Sequence, residues 1–295
     1  MKHSLIEWTT HTWNPWEGCT KISPGCLHCY AEHNSDTRWG RVEWGPGGKR
    51  RQILSTWNDP HKWHSEALET GKKSRVFCAS LADIFDDHPS IQPEWRHHVW
   101  KMIRETPCLD WLLLSKRPEN FAKFLPDDWG EGYQNVCLMV TVENQVYAAR
   151  RIPLLLETPA RRWGLSVEPL IGPVDLSQWI DPIDWVIVGG ESLTGARPMN
   201  PNWVREIRDL CHVHRTPFLF KQWGWWTPDP IPNWNQRHIF PDEEVVHYRG
   251  NTKLNGNLLD GEYHLAHPFR ERLTPVEQRL ARHLNPYELA SFLVP

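Results

Sequence analysis

Between residues 75 and 221 the chain alternates short, nearly continuous apolar runs with longer amphipathic ones. The runs Arg75–Ala79, Trp111–Leu114, Val136–Val140, Trp163–Val167, Trp185–Val188 and Phe218–Phe220 read as strands buried on both faces, the pattern of a parallel sheet. Between several of them lie helix-like segments, among them Pro93–Arg104, Asn144–Leu156 and Asn202–His212. Strand and helix in alternation predict an α/β fold. A further strand before the first cysteines brings the count to about seven, which favours a full or partial TIM-like (β/α) barrel with parallel strands. Residues 40–57 are Gly-rich and basic and are expected to form a long flexible loop. After Trp226 the chain turns to Pro, Asn, Asp and Gly with isolated apolar pairs, so short strands and loops are expected there, with an amphipathic helix over Pro275–Pro295. The predicted division is a barrel domain over 1–226 and a loop-rich C-terminal extension over 227–295 packed on it. No internal repeat is evident.

In a parallel α/β fold, loops at the C-terminal ends of the strands converge on one cavity. Here those ends are polar strand after strand: Ser80 and Asp83; Ser115, Lys116 and Arg117; Thr141, Glu143 and Asn144; Glu168; Glu191 and Ser192; Lys221 and Gln222. Any one of them alone would read as a helix cap or a surface ion pair, Asp83 and Asn144 above all. Six strands doing so together predict a functional mouth.

Charge and composition narrow the partners. A formal charge of −3 excludes a grossly basic, nucleic-acid-coating protein but leaves room for a local groove carrying Lys49, Arg50 and Arg51 or Lys72, Lys73 and Arg75. The 19 tryptophans serve cores, interfaces and base stacking alike, and Trp223, Trp225 and Trp226 fall in loop-like sequence. No apolar run is long enough to span a membrane, and the first residues do not read as a signal peptide. Of seven cysteines, Cys78, Cys108, Cys137 and Cys211 stand singly in apolar surroundings, the usual place of an inert thiol. Cys19, Cys26 and Cys29 share one loop bent by Pro24 and Gly25, with Gly18 before it. Three thiolates can hold three irons of a [4Fe–4S] cluster and leave the fourth open, or join a zinc site completed by His28 or His33. No second Cys-x-x-Cys follows, and spacing alone leaves both readings open. The odd number of cysteines fits a reducing cytoplasm.

The wider string, Asn14-Pro15-Trp16-Glu17-Gly18-Cys19 through Cys26-Leu27-His28-Cys29-Tyr30-Ala31, resembles the cluster loop of a radical S-adenosylmethionine (SAM) branch. It is more similar still to a phage-associated three-Cys-motif family, over Trp8 to about Pro268, with the later segments Gly189–Ser192, Phe220–Gly224 and Leu258–Gly261. Six residues separate the first two cysteines, where the common radical-SAM loop has three. The resemblance implies a barrel, a [4Fe–4S] cluster on Cys19, Cys26 and Cys29, and SAM bound at the open iron. Ser80 and Asp83 are then candidates for the SAM amine, and Lys116, Thr141, Glu143 and Glu168 for its carboxylate and ribose. Glu191, Lys221 and Gln222, on later strands, would face substrate. The Gly189-Gly190-Glu191 element follows a later strand than the SAM-amine element of that family, so that role is not transferred. The resemblance further implies an external electron donor such as flavodoxin, or dithionite in vitro, and the cytoplasm of a bacterial or phage-infected cell. A nucleic-acid substrate is the first expectation, a modified base in DNA or RNA being rearranged or decorated. Arg50 and Arg51 would clamp phosphates, and Trp225 and Trp226 would stack on bases. Two alternatives stand beside it: a zinc-stabilised nucleic-acid-binding protein without catalysis, and a radical SAM enzyme acting on a small metabolite or peptide.

Overall fold

The computed structural model describes residues 4, 6–230, 236–240, 246–280 and 283–293. Seven parallel strands lie in chain order across one sheet: β1 His11–Trp13, β2 Ser74–Cys78, β3 Leu109–Ser115, β4 Val136–Thr141, β5 Trp163–Val167, β6 Trp185–Gly189 and β7 Phe218–Gln222. No ladder joins β1 to β7 among the described residues, so the sheet is a curled, partial barrel and not a closed one. Helices α1 Asp59–Thr70, α2 Pro93–Glu105, α3 Gln145–Leu156 and α4 Pro201–His214 connect the strands. Their starts carry the expected signals. Pro93 opens α2, the Asn144 side chain accepts the Tyr147 N–H at α3, and the Asn200 side chain accepts the Asn202 N–H at α4.

Alternation along each strand divides the core in two. One face (Val76, Trp111, Leu113, Leu138, Val140, Leu165, Val186, Val188 and Phe220) packs against Val99 and Ile103 of α2, Ile152 and Leu155 of α3, and Val204 and Ile207 of α4. The concave face carries Phe77, Leu112, Cys137, Met139, Ile187 and Leu219. Gly164 gives that face its depth, since a Cβ there would lie 2.9 Å from Met139 Cε. Trp8, Trp185 and Phe269 meet edge to face and form its floor. Past this apolar layer, towards the C-terminal ends, the concave positions become Thr141, Ser166, Glu168 and Lys221. The strand pattern therefore puts an apolar floor under a polar rim.

The C-terminal segment completes the barrel's exposed edge. The Phe220 N–H donates to His264 O at 2.9 Å and the Ala266 N–H to Phe218 O at 3.2 Å, so β7 does not offer an unpaired ladder. Trp226–Thr227, Arg237–Ile239 and Val246–Arg249 form a small antiparallel sheet. Of the helix expected over Pro275–Pro295, residues 281–282 and 294–295 lie outside the described ones; the described residues carry helices at Pro275–Leu280 and Pro286–Phe292. Asn285 and Glu288 form a capping box that starts the second piece. Among the described residues no helix is long and apolar enough to cross a membrane.

Candidate active site

The chain leaves β1 and enters the cysteine loop along a short antiparallel pairing of Trp16–Glu17 with Arg51–Gln52. Cys19, Cys26 and Cys29 are free thiols. All three line a cavity of about 140 Å³ with Thr20, Ser80, Asp83 and Arg117. Cys26 and Cys29 also face an adjoining cavity of about 160 Å³ walled by His28, Glu168, Glu191, Lys221 and Gln222. Tyr30, Phe77, Leu114, Lys116 and Thr141 line both. A larger concavity of about 660 Å³, between Asp87–Arg104 and Lys123–Asp128, shares no lining residue with these and holds none of the thiols; the chemistry places the site at the cysteines.

Two buried networks hold the two limbs of the loop. On one limb Glu143, fully buried, accepts from Ser23 Oγ at 2.5 Å, Gly25 N–H at 2.9 Å and Arg151 Nη1 at 3.1 Å, with Lys116 Nζ 3.4 Å away. Burial works against the Glu143 carboxylate, but Lys116, Ser23, Arg151 and the Gly25 amide together outweigh it and hold its pKa below the usual range. A Cβ on Gly25 would stand 2.4 Å from Glu143 Cδ, so only glycine allows this approach. On the other limb the buried Arg117 donates to Cys19 Sγ at 3.4 Å and to Thr20 O at 2.9 Å. Asp83 holds the same guanidinium at 3.1 Å and accepts from Ser115 Oγ and the Lys116 N–H.

Burial pushes the Cys19 thiol up to about 12, against the pull of Arg117, and raises Cys29 as well. Without a metal these thiols keep their protons, and a bound metal takes their place. The donor set fits an iron–sulfur cluster: three thiols face one cavity, and the Arg117 guanidinium donates to the Cys19 sulfur at 3.4 Å. Among the described residues no three His, Cys, Asp or Glu side chains are gathered as ligands of one ion.

Of the residues expected at the SAM site, Lys116, Thr141 and Glu168 face the cavities. Glu168 Oε1 lies 2.7 Å from Lys221 Nζ, and a Cβ on Gly189 would crowd it at 2.8 Å. Asp83 lines the first cavity with its carboxylate held by Ser115, the Lys116 N–H and Arg117, and the Glu143 carboxylate is turned to Ser23, the Gly25 N–H and Arg151, so both position the loop. Ser80 lines the first cavity, but its hydroxyl meets the Asn14 amide and its carbonyl accepts the Tyr30 hydroxyl at 2.9 Å. Lys221 and Gln222 line the second cavity, as expected. Glu191 is gripped at both carboxylate oxygens by Arg197, whose Nη2 also reaches Pro24 O at 2.9 Å, so it ties its loop to the cysteine loop.

The clamp expected for nucleic acid does not assemble. Arg50 is buried and donates to Asp86, Thr20 and the carbonyls of Gly45 and Gly48, so its guanidinium faces inward. It thereby ties down the segment expected to be a flexible loop. Arg51 is half-exposed and paired with the buried Glu17. Trp226 donates its indole N–H to Ala196 O at 2.7 Å, and the Trp225 N–H donates to Glu191 O at 2.8 Å, so both brace the 191–197 loop. Three residues given no role from the sequence matter most: Arg117, Arg151 and Arg197. Arg151 was detectable, because it shares a helix face with buried Ala148, Ile152 and Leu155, where an arginine requires a buried anion.

The fold is similar to two mutant forms of spore photoproduct lyase, at 12% identity, over 81% of this chain and 68% of those chains, with TM-scores of 0.42 and 0.39. No curated protein matches the sequence. Residues 3–268 match the family described as Protein of unknown function (DUF5131), and the chain belongs to that family.

Proposed function

We propose that the protein is a radical SAM enzyme, with one [4Fe–4S] cluster on Cys19, Cys26 and Cys29. The observation that carries this reading is the convergence of three free thiols on a cavity that shares part of its wall with a second one carrying Glu168, Lys221 and Gln222 at the same strand ends. When bound, the cluster would supply the electron that cleaves SAM to methionine and a 5′-deoxyadenosyl radical, which takes hydrogen from the substrate. The chain's own residues bind and orient. Lys116 lines both cavities and, paired with Glu143 at 3.4 Å, can turn its ammonium to a ligand carboxylate. Glu168 offers acceptors for an ammonium or for ribose hydroxyls, with Lys221 beside it. Phe77 and Leu114 give an apolar wall shared by the two cavities, and the aromatic floor beneath keeps water from that side. With Arg50 buried and Arg51 paired with Glu17, these two arginines do not together form a grip on phosphates.

Anaerobic reconstitution tests the reading. About four irons and four sulfides per chain, absorption near ~400 nm and 5′-deoxyadenosine formed from SAM with dithionite are expected. Stoichiometric zinc with no iron uptake would overturn it in favour of a zinc-stabilised binding protein.

A further inference from the structure

Cys19 differs from the other two thiols in having a guanidinium hydrogen-bonded to its sulfur. Arg117 Nη1 donates to Sγ at 3.4 Å and to Asp83 Oδ2 at 3.1 Å, while its Nε lies 3.4 Å from Asp86 Oδ1. Asp86 is shared with Arg50 at 2.8 Å, and Arg50 Nη2 reaches Thr20 Oγ1 at 2.7 Å. Asp83, Arg117, Asp86 and Arg50 thus form a buried row of alternating charge that sums to zero, and the first cysteine is hydrogen-bonded to Arg117 within it. Asp83 at Nη1, the Thr20 carbonyl at Nη2 and Asp86 beside Nε hold the guanidinium next to the sulfur. Such rigidity exceeds what anchoring the loop requires, since the Thr20 carbonyl alone would do that.

We infer, resting on the cluster reading above, that Arg117 is a positioning residue that raises the reduction potential of the cluster bound by Cys19. Reduction adds negative charge to a cluster and its thiolate ligands. An N–H donor and a positive charge at a ligand sulfur stabilise that form, and burial strengthens both effects. Asp83, bonded to the same Nη1, moderates that charge.

The test is a redox titration of the anaerobically reconstituted full chain, followed by the paramagnetic resonance of the reduced cluster. In Arg117→Gln the ratio of reduced to oxidised cluster at a fixed poise should fall at least tenfold, a midpoint 59 mV lower for a one-electron couple. Asp83→Asn, which keeps an acceptor but removes a negative charge, should shift the midpoint upward. An unchanged midpoint in Arg117→Gln with the cluster intact overturns the inference and leaves Arg117 as an anchor. If Arg117→Gln fails to take up iron, Asp83→Asn decides, and an unchanged or lowered midpoint there overturns it equally. A parent chain that binds no iron and sulfide refutes the cluster reading instead, a distinct outcome.

Discussion

Replacing Glu143 by Ala removes the acceptor for Ser23 Oγ, the Gly25 N–H and Arg151, and the counter-charge of Lys116. Arg151 is 4% exposed and would be left as a buried cation with the Thr141 carbonyl and the Tyr147 ring beside it and no counter-charge from Glu143. Breaking a buried ion pair from one side costs about 3–5 kcal/mol. Whole domains are stable by only about 5–15 kcal/mol, so the loss is a large share of the total. Glu143→Gln keeps the shape and one acceptor, and should lose about 1–3 kcal/mol. Urea unfolding of the metal-free chain measures the global effect, and hydrogen exchange at the Gly25 amide measures the local one. The pH dependence adds a signature. The Glu143 carboxyl is held below its ordinary value in the folded chain, so its stabilisation is complete above that value and is lost as pH falls through the lower, folded one. The gap between parent and Glu143→Ala should therefore be widest near neutrality and close in acid. If Glu143→Ala unfolds at the parent's urea midpoint and its Gly25 amide stays protected, the lock between β4 and the cysteine loop does not exist.

Glu168→Ala in the cluster-loaded chain should weaken SAM binding roughly 10–100-fold by calorimetry, the value of about 1.5–3 kcal/mol for a hydrogen bond to a charged group; equal affinity would remove Glu168 from the SAM site. Phe269→Ala, which takes one ring out of the floor beside Trp185, should destabilise the chain by about 3–5 kcal/mol in the same urea assay; a loss under ~1 kcal/mol would mean that the C-terminal segment is not part of the core. Burial lowers His64 and His247 each to about 4, so both are neutral when folded. Between the ordinary histidine value near ~6.5 and that value the unfolded chain takes up protons that the folded one refuses, and stability should fall by roughly 1.4 kcal/mol per pH unit for each. In the double variant His64→Gln, His247→Gln the fall in melting temperature over this range should be shallower, and a parallel fall would assign the acid sensitivity elsewhere.

The strands were legible because burial on both faces leaves little room for polar residues. Each apolar run became a strand within two residues of its expected ends. One of the two largest discrepancies, the early start of β3 at Leu109, arises at Asp110, a residue that reads as a strand breaker. In the fold it is buried against Lys73 at 2.6 Å, a partner 37 positions away that no local pattern displays. Asn144, expected as a cap, is one. The mouth was legible for the same reason as the strands, since polar residues just past a buried run must lie at its end. Their individual roles were not. Glu143 and Glu168 look alike along the chain, each just past a buried strand, and only what lies across the cavity separates them.

What lies across follows from strand order. The cysteine loop leaves β1, at one edge of the sheet, and can reach only the strand ends on that side. Those ends supply its anchors: Asp83 after β2, Lys116 and Arg117 after β3, and Glu143 after β4. A carboxylate there meets loop donors at close range, and leaving them unpaired under the loop would cost about 1–3 kcal/mol each. Beyond β4 the Pro24 carbonyl is taken by Arg197, and the His28 ring lies close against Gly195. Glu168 after β5 and Lys221 on β7 therefore have each other as charged partners and otherwise face the cavity. The wider spacing between Cys19 and Cys26 belongs to the same geometry. With six residues between them, the loop can place its first cysteine against Arg117 and its turn at Ser23–Gly25 against Glu143, two anchors rooted two positions past adjacent strands β3 and β4. Deleting residues from that spacer should release one anchor or the other, and which thiol then loses its place would report which of the two grips is stronger.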